Sequence, residues 1–310
     1  MMHAGEVRAR RSAILRQVLI LGFSLAVAAY VLAPIYWLAA SSFQSEREIV
    51  SVPPHWIPHE PTIMNYAAIF AEPAKQVTYE TRSERDPSMG GYIPSTARNL
   101  IPGIWNSIIV ATAVVVLNLL VGVPAAYALA MIRFRGRSTS IYFMLSTRVI
   151  PDIALVVPFF LFIQKLGLMD TLASLIITYL AITVPFTVFI LTSYFESVPD
   201  ELDKAARVDG CTRLQTLLRI YLPLSWPALV AAILFTFLTS WNEFLLALLF
   251  TQTPASQTMP MVVASFTSDF TISYAFINAA GVLAVLPPVL LAIVFERYIV
   301  SGLTTGAVKG

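Results

Sequence analysis

A chain of 310 residues that is 57% hydrophobic and only 12% charged, with a mean hydropathy of +0.74, is too apolar for a soluble domain. Its net charge of +2 gives no reason to expect a nucleic-acid partner, and its single cysteine, Cys211, excludes an internal disulfide framework. The sequence therefore predicts an all-α protein for which membrane lipid is much of the solvent.

The N-terminal third combines one apolar run with a long polar stretch. Residues 1–16 carry several arginines, so they predict a cytoplasmic N-terminus followed by a first spanning helix over 17–42. A cleavable signal peptide is the alternative, but the apolar run is longer than the usual signal core. Residues 43–103 are polar and proline-rich and predict an outward-facing periplasmic or extracellular loop with little regular structure, in which 71–99 looks like an insertion.

The remaining residues, 104–310, predict the transmembrane core. Five apolar runs are long enough to span a bilayer, at about 104–131, 141–164, 172–195, 224–250 and 274–295. Arginines and lysines fall in the turns that would face the cytoplasm, so we expect six transmembrane helices with both termini inside, ending in a glycine-rich tail over 302–310. Prolines are expected to interrupt the third, fourth and sixth spans, at Pro151, Pro158, Pro185, Pro287 and Pro288.

A charged segment, Glu196–Pro223, separates the fourth and fifth spans and is called the platform. A helix should start near Pro199 and stop at Gly210, and Thr212 with Gln215 should cap a second helix. Acid-before-base pairs four residues apart are expected on the first helix, between Asp200 and Lys204 and between Asp203 and Arg207, beside a small apolar face formed by Leu202, Ala205 and Ala206. The pattern fits either a docking surface for another protein or a solvated loop.

Catalytic and metal motifs are missing from the sequence. No GxxxxGK[ST] phosphate loop is present, so ATP and Mg²⁺ are not expected to bind this chain. His55 and His59 are spaced H-x-x-x-H, but Pro58 prevents the helical face that a zinc site of that spacing needs, so we expect no metal there. No histidine lies in a span or in the platform to serve a nucleophile, which argues against an enzyme.

A few polar side chains lie inside the apolar spans. Ionisable groups at membrane depth are costly and are candidates for a transport pathway, here Arg148, Asp152 and Glu243, with Asn242 beside the last. The alternative is structural: Arg148 could pair with Asp152 four residues on, and Glu243 could hydrogen-bond within the bundle.

With these residues in view, the platform resembles a known motif. K-A-A-R-V-D-G at Lys204 to Gly210, followed after nine residues by I-Y-L-P at Ile220 to Pro223, is similar to the EAA motif of binding-protein-dependent ABC importer permeases, although Lys204 stands where the motif has glutamate. N-S-I-I-V-A from Asn106, A-Y-A-L-A-M-I-R-F-R-G-R from Ala126, W-N-E-F-L-L-A from Trp241 and the C-terminal Y-I-V-S-G-L-T-T-G-A-V-K-G resemble the carbohydrate-importing, MalG-type branch.

The resemblance implies a type I ABC importer permease in a bacterial or archaeal cytoplasmic membrane. It implies alternating access for a sugar, oligosaccharide or polyol, driven by separate ATPase subunits, with a second permease subunit and an external solute-binding protein as partners. The platform would then couple to the ATPase through Glu201, Asp203, Lys204, Ala205, Ala206, Arg207, Asp209, Gly210, Ile220, Leu222 and Pro223. An ion-coupled secondary transporter and a membrane-embedded enzyme are the alternatives.

Overall fold

The computed structural model describes residues 2–70, 95–267 and 273–307, with side chains over 14–70, 97–267 and 273–298. The chain divides into two compact units, Met1–Pro94 with Asp269–Val282, and Ser95–Ser268 with Leu283–Gly310. The described helices are α1 (Met2–Ser42), α2 (Glu46–Ile49), α3 (Met64–Phe70), α4 (Leu100–Met131), α5 (Arg137–Thr147), α6 (Asp152–Lys165), α7 (Leu172–Phe195), α8 (Asp200–Val208), α9 (Arg213–Thr216), α10 (Leu222–Leu224), α11 (Trp226–Asn242), α12 (Leu245–Phe250), α13 (Met259–Ala264) and α14 (Tyr274–Ala307). A 3₁₀ turn, Ser95–Asn99, precedes α4, and a π-helical turn, Leu217–Tyr221, joins α9 to α10.

In the first unit the polar segment after α1 is more ordered than the sequence indicated. The buried side chain of Asn65 on α3 donates to the carbonyl oxygens of Ser42 and Gln44 at 2.8 and 3.0 Å, which holds α3 against the end of α1. The Glu46 carboxylate on α2 accepts the backbone N–H groups of Tyr274 and Ala275, both at 3.0 Å, at the start of α14. The expectation of little regular structure over 43–103 holds for residues 50–63, which contain no helix, but it missed α2, α3 and the 3₁₀ turn before α4. Residues 71–94 of the expected insertion lie outside the described residues.

Four described helices are long and apolar enough to cross a membrane by themselves. They lie at Ile14–Ser42, Ala97–Met131, Leu172–Phe195 and Tyr274–Tyr298. Two bent pairs raise the number to six if each pair is one span: α5 with α6, at 97°, and Arg213–Leu224 with α11, at 83°. In α1 none of the most apolar window is buried within the chain, so lipid or another chain must cover it.

The helix breaks do not fall where the prolines predicted. The third span is interrupted at residues 148–151, ahead of α6, and only Pro151 of the five prolines lies at a break. Pro158, Pro185 and the Pro287/Pro288 pair lie inside continuous helices, because neighbouring groups in a bundle can satisfy the backbone carbonyls that a proline leaves free.

The fifth predicted span and the C-terminal tail also differ from expectation. The segment over 224–250 bends at Ser225 and is broken again at Glu243 and Phe244, between α11 and α12. The glycine-rich tail does not leave the helix at 302, since α14 continues to Ala307. The fourth predicted span, in contrast, is the single helix α7, which begins and ends at the predicted Leu172 and Phe195.

In the second unit α4 and α7 pack closely along their length. A Cβ built on Gly122 of α4 would lie 3.0 Å from Cγ2 of Thr187 on α7, so only glycine fits without movement of the neighbour. One turn away, the Asn118 amide donates to the Thr183 hydroxyl at 2.7 Å, both residues being fully buried. Small residues and buried hydrogen bonds are the usual means by which membrane helices associate, and here they form the frame on which the platform rests.

Candidate functional site

The platform has the local structure that its sequence predicts. Pro199 precedes α8, and Gly210 ends it in the left-handed region at φ +80°, which a glycine adopts without strain. The Thr212 hydroxyl accepts from Gln215 N at 3.3 Å while the Gln215 amide oxygen accepts from Thr212 N at 2.8 Å. This reciprocal capping box starts α9, so two short helices meet at a fixed turn.

One face of the platform is anchored in the bundle by aromatic side chains. Tyr221 is fully buried, with its ring centroid 5.2 Å from that of Tyr127 on α4 and 5.7 Å from that of Phe195 on α7, both edge-on. Its hydroxyl donates to the Met131 sulfur at 2.9 Å. Edge-to-face aromatic pairs add to the energy of burial, so the platform is held firmly to both helices.

The small apolar face of α8 is partly buried and partly exposed to solvent. Ala206 is buried, at 3% exposure, and is therefore not available to another protein, which corrects the expectation for that residue. Ala205 and Leu202 remain exposed. Ile220 and Leu222 pack against the core of the unit, whereas Pro223 is exposed at the start of α10. The motif therefore contains residues that pack within the unit, such as Ile220 and Leu222, and residues that remain exposed to solvent, such as Ala205 and Pro223.

The charged side chains of α8 form one of the two expected pairs. Asp203 binds Arg207 at 2.6 Å, and the Asp203 side chain is only 13% exposed. Asp200 and Lys204, both described and both exposed, form no ion pair. An unexpected pair joins Arg137, at the start of α5, to Glu196, at the first residue of the platform.

The solvent-exposed face of the platform carries both charged and apolar side chains. Glu201, Lys204, Asp209 and Gly210 are exposed. Beside them on α8, Val208 is 87% exposed, and Leu214 on α9 is 63% exposed. These two exposed residues were not predicted from the sequence. Each is an aliphatic residue in a charged segment, at a position that neither the helix caps nor the charge pairs require.

Arg148 and Asp152 lie together but do not form a pair. Both line a cavity of about 270 Å³ at the break between α5 and α6. Arg148 donates through Nη1 to the Ile182 carbonyl oxygen at 2.9 Å, and its guanidinium lies 5.9 and 5.7 Å from the ring centroids of Phe186 and Phe235. The expected structural alternative, an ion pair between Arg148 and Asp152 near a helix end, does not form: α5 ends at Thr147, α6 begins at Asp152, and the Arg148 guanidinium binds the Ile182 carbonyl oxygen.

Glu243 and Asn242 have separate environments at the end of α11. The Glu243 carboxylate accepts the Tyr179 hydroxyl at 2.6 Å, Leu246 N at 2.8 Å and Ala247 N at 3.2 Å, so it hydrogen-bonds within the bundle and caps α12. Asn242 instead lines a cavity of about 530 Å³ whose other walls come from α11, α13 and α14, with Trp241, Phe244, Met259, Pro260, Val263, Ala264, Ala284, Val285 and Pro288.

Asp170, in the turn between α6 and α7, was not singled out from the sequence. It has a positive φ of 58°, and its carboxylate accepts the Ser256 hydroxyl and the backbone N–H groups of Gln252 and Thr253, the last two at 2.8 and 3.0 Å. These donors, the Ser256 hydroxyl above all, hold the pKa of Asp170 well below its usual range. The residue thus ties this turn to the segment after α12.

The comparisons with known proteins agree with this architecture. The model of the family described as "Binding-protein-dependent transport system inner membrane component" matches residues 118–305. The chain is 34% identical to the trehalose/maltose transport system permease protein MalG of Thermococcus litoralis, over 97% of this chain and 99% of that protein. It is 32% identical to the sulfoquinovosyl glycerol transport system permease protein SmoH of Agrobacterium fabrum, over 89% and 88%.

A solved structure shows the same fold. A chain of a bacterial ABC transporter involved in the import of the acidic polysaccharide alginate superposes with a TM-score of 0.74 at 22% identity, covering 94% of this chain and 97% of that one. The fold is therefore that of an ABC importer permease. The chain belongs to the binding-protein-dependent transport system inner membrane component family, and it is a multi-pass permease subunit rather than an ion-coupled secondary transporter.

Proposed function

We propose that this chain imports a carbohydrate by alternating access and that its platform, Glu196–Pro223, docks on a separate ATPase subunit in the cytoplasm. The observation that carries the proposal is the division of the platform into two faces. Tyr221 holds one face in the bundle and Ala206 is buried, while Lys204, Val208 and Gly210 are exposed. An aliphatic side chain as exposed as Val208, set among charged residues, is typical of a contact surface.

A second permease subunit and an external solute-binding protein complete the proposed transporter. The unburied apolar surface of α1 offers a partner permease chain, or lipid, a large area to cover. The segments that the sequence predicts to face outward contain α2 and α3 in the first unit and α13 in the second, and we propose these helices as contact surfaces for a binding protein. The matching proteins come from bacteria and an archaeon, so we place this chain in a prokaryotic cytoplasmic membrane.

The substrate class is proposed from the relatives and from one cavity. Relatives are named for sulfoquinovosyl glycerol, for trehalose and maltose, and for diacetylchitobiose, all of which are sugars or sugar derivatives. The cavity beside α11 pairs the Asn242 amide with the Trp241 and Phe244 side chains, and sugars bind through hydrogen bonds combined with aromatic faces. The solutes that raise the thermal midpoint of the cognate binding protein would identify the sugar.

Lys204 gives the docking surface an unusual charge. Asp203 is a poor substitute for the glutamate of the motif, because it is largely buried and already binds Arg207 at 2.6 Å. We therefore favour an acidic residue of the ATPase as the partner of Lys204. Lys204→Glu should weaken ATPase association, and more strongly at low ionic strength than at high, since salt screens exposed charges. Unchanged association and uptake would show that the reversed charge is incidental.

Gly210 and Gly167 together provide the test of docking. Both have positive φ, +80° and +68°, and at both a built Cβ meets no atom within 4 Å, so leucine adds the same backbone strain of roughly 1–2 kcal/mol at each. Only Gly210 lies on the platform; Gly167 lies in the turn between α6 and α7.

The chain is purified together with its neighbouring gene products, and the co-purified ATPase is quantified. We expect Gly210→Leu to lose the ATPase and uptake while Gly167→Leu keeps both. Equal retention of the ATPase in the two variants would overturn the docking proposal, and equal loss would show that backbone strain rather than contact is responsible.

A further inference from the structure

Three possible metal ligands meet in the first unit, in the segment that follows α1. Glu48 on α2, His55 and His59 bring a carboxylate and two imidazoles together, with one ligand atom from each within 4.8 Å of the others. No step of the proposed transport uses these residues. The sequence argued against a metal here because Pro58 breaks a helical face, but in the structure the histidines lie on a folded loop and the third ligand comes from α2.

The distances within this cluster fit a tetrahedral ion. Glu48 Oε1 lies 3.6 Å from His55 Nδ1 and 3.4 Å from His59 Nδ1. Zinc binds imidazole nitrogen and carboxylate oxygen at about 2.0–2.1 Å, so two ligands of a tetrahedral site should be roughly 3.3–3.4 Å apart. Two of the three edges are therefore within a few tenths of an ångström of the spacing that zinc requires.

The imidazole of His55 has a nitrogen that its protein surroundings leave unbound. Its Nδ1 is buried and has no hydrogen-bond partner, and the 3.6 Å to Glu48 is too long for one. A buried polar atom without a partner is costly in a folded protein. An ion between Nδ1 and the carboxylate would satisfy both groups.

The loop that carries the histidines is positioned by bonds outside the cluster. The Gln44 amide donates to the His55 carbonyl oxygen at 2.7 Å, and His59 N donates to Glu48 Oε1 at 2.6 Å. Ser45 caps α2 by accepting from Glu48 N at 3.4 Å. The Glu48 side chain itself is only 8% exposed. A ligand set held in place by such outer contacts binds a metal more tightly than a mobile one.

We propose that Glu48, His55 and His59 bind one Zn²⁺ ion, with water in the fourth position. His59 is 68% exposed, so the open position faces solvent and the ion has a route of entry. Two imidazoles and one carboxylate suit zinc and similar borderline divalent cations better than Ca²⁺ or Mg²⁺, which prefer all-oxygen sites. The ion would fasten the loop to α2.

The test uses the full chain in nanodiscs, purified without a polyhistidine tag and carrying Cys211→Ser, so that neither a tag nor the free thiol competes for metal. Zn²⁺ is titrated against a fluorescent chelator. We expect one equivalent to bind, with affinity reduced more than about 100-fold in His59→Ala and in Glu48→Gln, because each removes a direct ligand and loss of outer contacts alone costs 10–100-fold.

Glu48→Gln keeps an oxygen that can accept the His59 N–H, and His59 is exposed, so neither variant should disturb folding. His3→Ala is the matched control, since His3 is the one other histidine of the sequence, and it should bind Zn²⁺ like the parent. Zinc X-ray absorption should show nitrogen ligands at about 2.0–2.1 Å. Unchanged affinity in His59→Ala, no saturable binding by the parent, or a shell of oxygens alone would each overturn the proposal.

Discussion

Glu243 allows a decisive test of what a carboxylate in the bundle does in this protein. Its two oxygens accept three hydrogen bonds, from the Tyr179 hydroxyl at 2.6 Å and from Leu246 N and Ala247 N at 2.8 and 3.2 Å. Tyr179 is buried, at 1% exposure, and the two N–H groups open α12 without other helical partners. The geometry assigns Glu243 a structural role, as cap and as acceptor, which does not require it to exchange a proton.

The size of the effect follows from those bonds. A hydrogen bond to a charged group contributes about 1.5–3 kcal/mol, and loss of a helix cap costs about 1 kcal/mol. The contributions are not additive, since the orphaned donors can partly recover other acceptors, so we expect Glu243→Ala to lose about 2–4 kcal/mol of stability. Glu243→Gln keeps an amide oxygen for the backbone N–H groups and should lose less than about 1.5 kcal/mol.

The assay compares thermal unfolding of the chain in nanodiscs with substrate uptake by the assembled transporter. Glu243→Ala should lower both the midpoint of unfolding and uptake, whereas Glu243→Gln should stay close to the parent in both. Asn242→Ala, one residue away, is the control for general disturbance at the end of α11. If Glu243→Gln abolishes uptake but unfolds at the parent temperature, the structural assignment is wrong and the charge or proton itself is needed.

Three further outcomes are expected. The pKa of Asp170 is lower in the folded chain than in the unfolded chain, where it is about 3.9. The stability that the ionised Asp170 contributes is therefore complete above about pH 3.9 and is lost as the pH falls toward the folded pKa. The difference in thermal midpoint between the parent and Asp170→Asn should be largest near about pH 7 and shrink below about pH 4. Tyr221→Ala should destabilise the chain by about 3–5 kcal/mol, while Tyr221→Phe, which keeps both ring contacts, should cost below about 1.5 kcal/mol; a large loss in the phenylalanine variant on chemical unfolding would contradict this. Gly122→Val should separate α4 from α7 and cost about 1–3 kcal/mol, and an unchanged thermal midpoint would argue against the close approach to Thr187.

The secondary structure of the platform was predictable because helix caps and glycine stops depend only on residues close together in the sequence. Gly210, Thr212 and Gln215 act within one or two turns of themselves, and the structure forms the glycine stop and the capping box that they indicate. The burial of Ala206 was not predictable in this way, since burial depends on tertiary packing rather than on the local sequence.

Helix breaks inside the membrane could not be placed by proline alone. Pro185 lies in an unbroken helix, while the chain bends at Ser225 and is interrupted at Glu243, whose own carboxylate accepts the backbone N–H groups of Leu246 and Ala247 at the start of α12. The cluster of Glu48, His55 and His59 was not predictable from the H-x-x-x-H spacing for a related reason: it joins a residue of α2 to two residues of a loop, whereas that spacing indicates a site only on a single helix.

The one-residue join at Ser225 has a mechanical consequence. The helical segment Arg213–Leu224 and α11 meet at 83° with only Ser225 between them, so no flexible stretch of chain separates the platform from the helix that continues into the bundle. Two helices joined through a single residue move together, so a small rotation of one helix must displace the other. A flexible glycine linker inserted at this join would uncouple the motion of the two helices while leaving both of them folded.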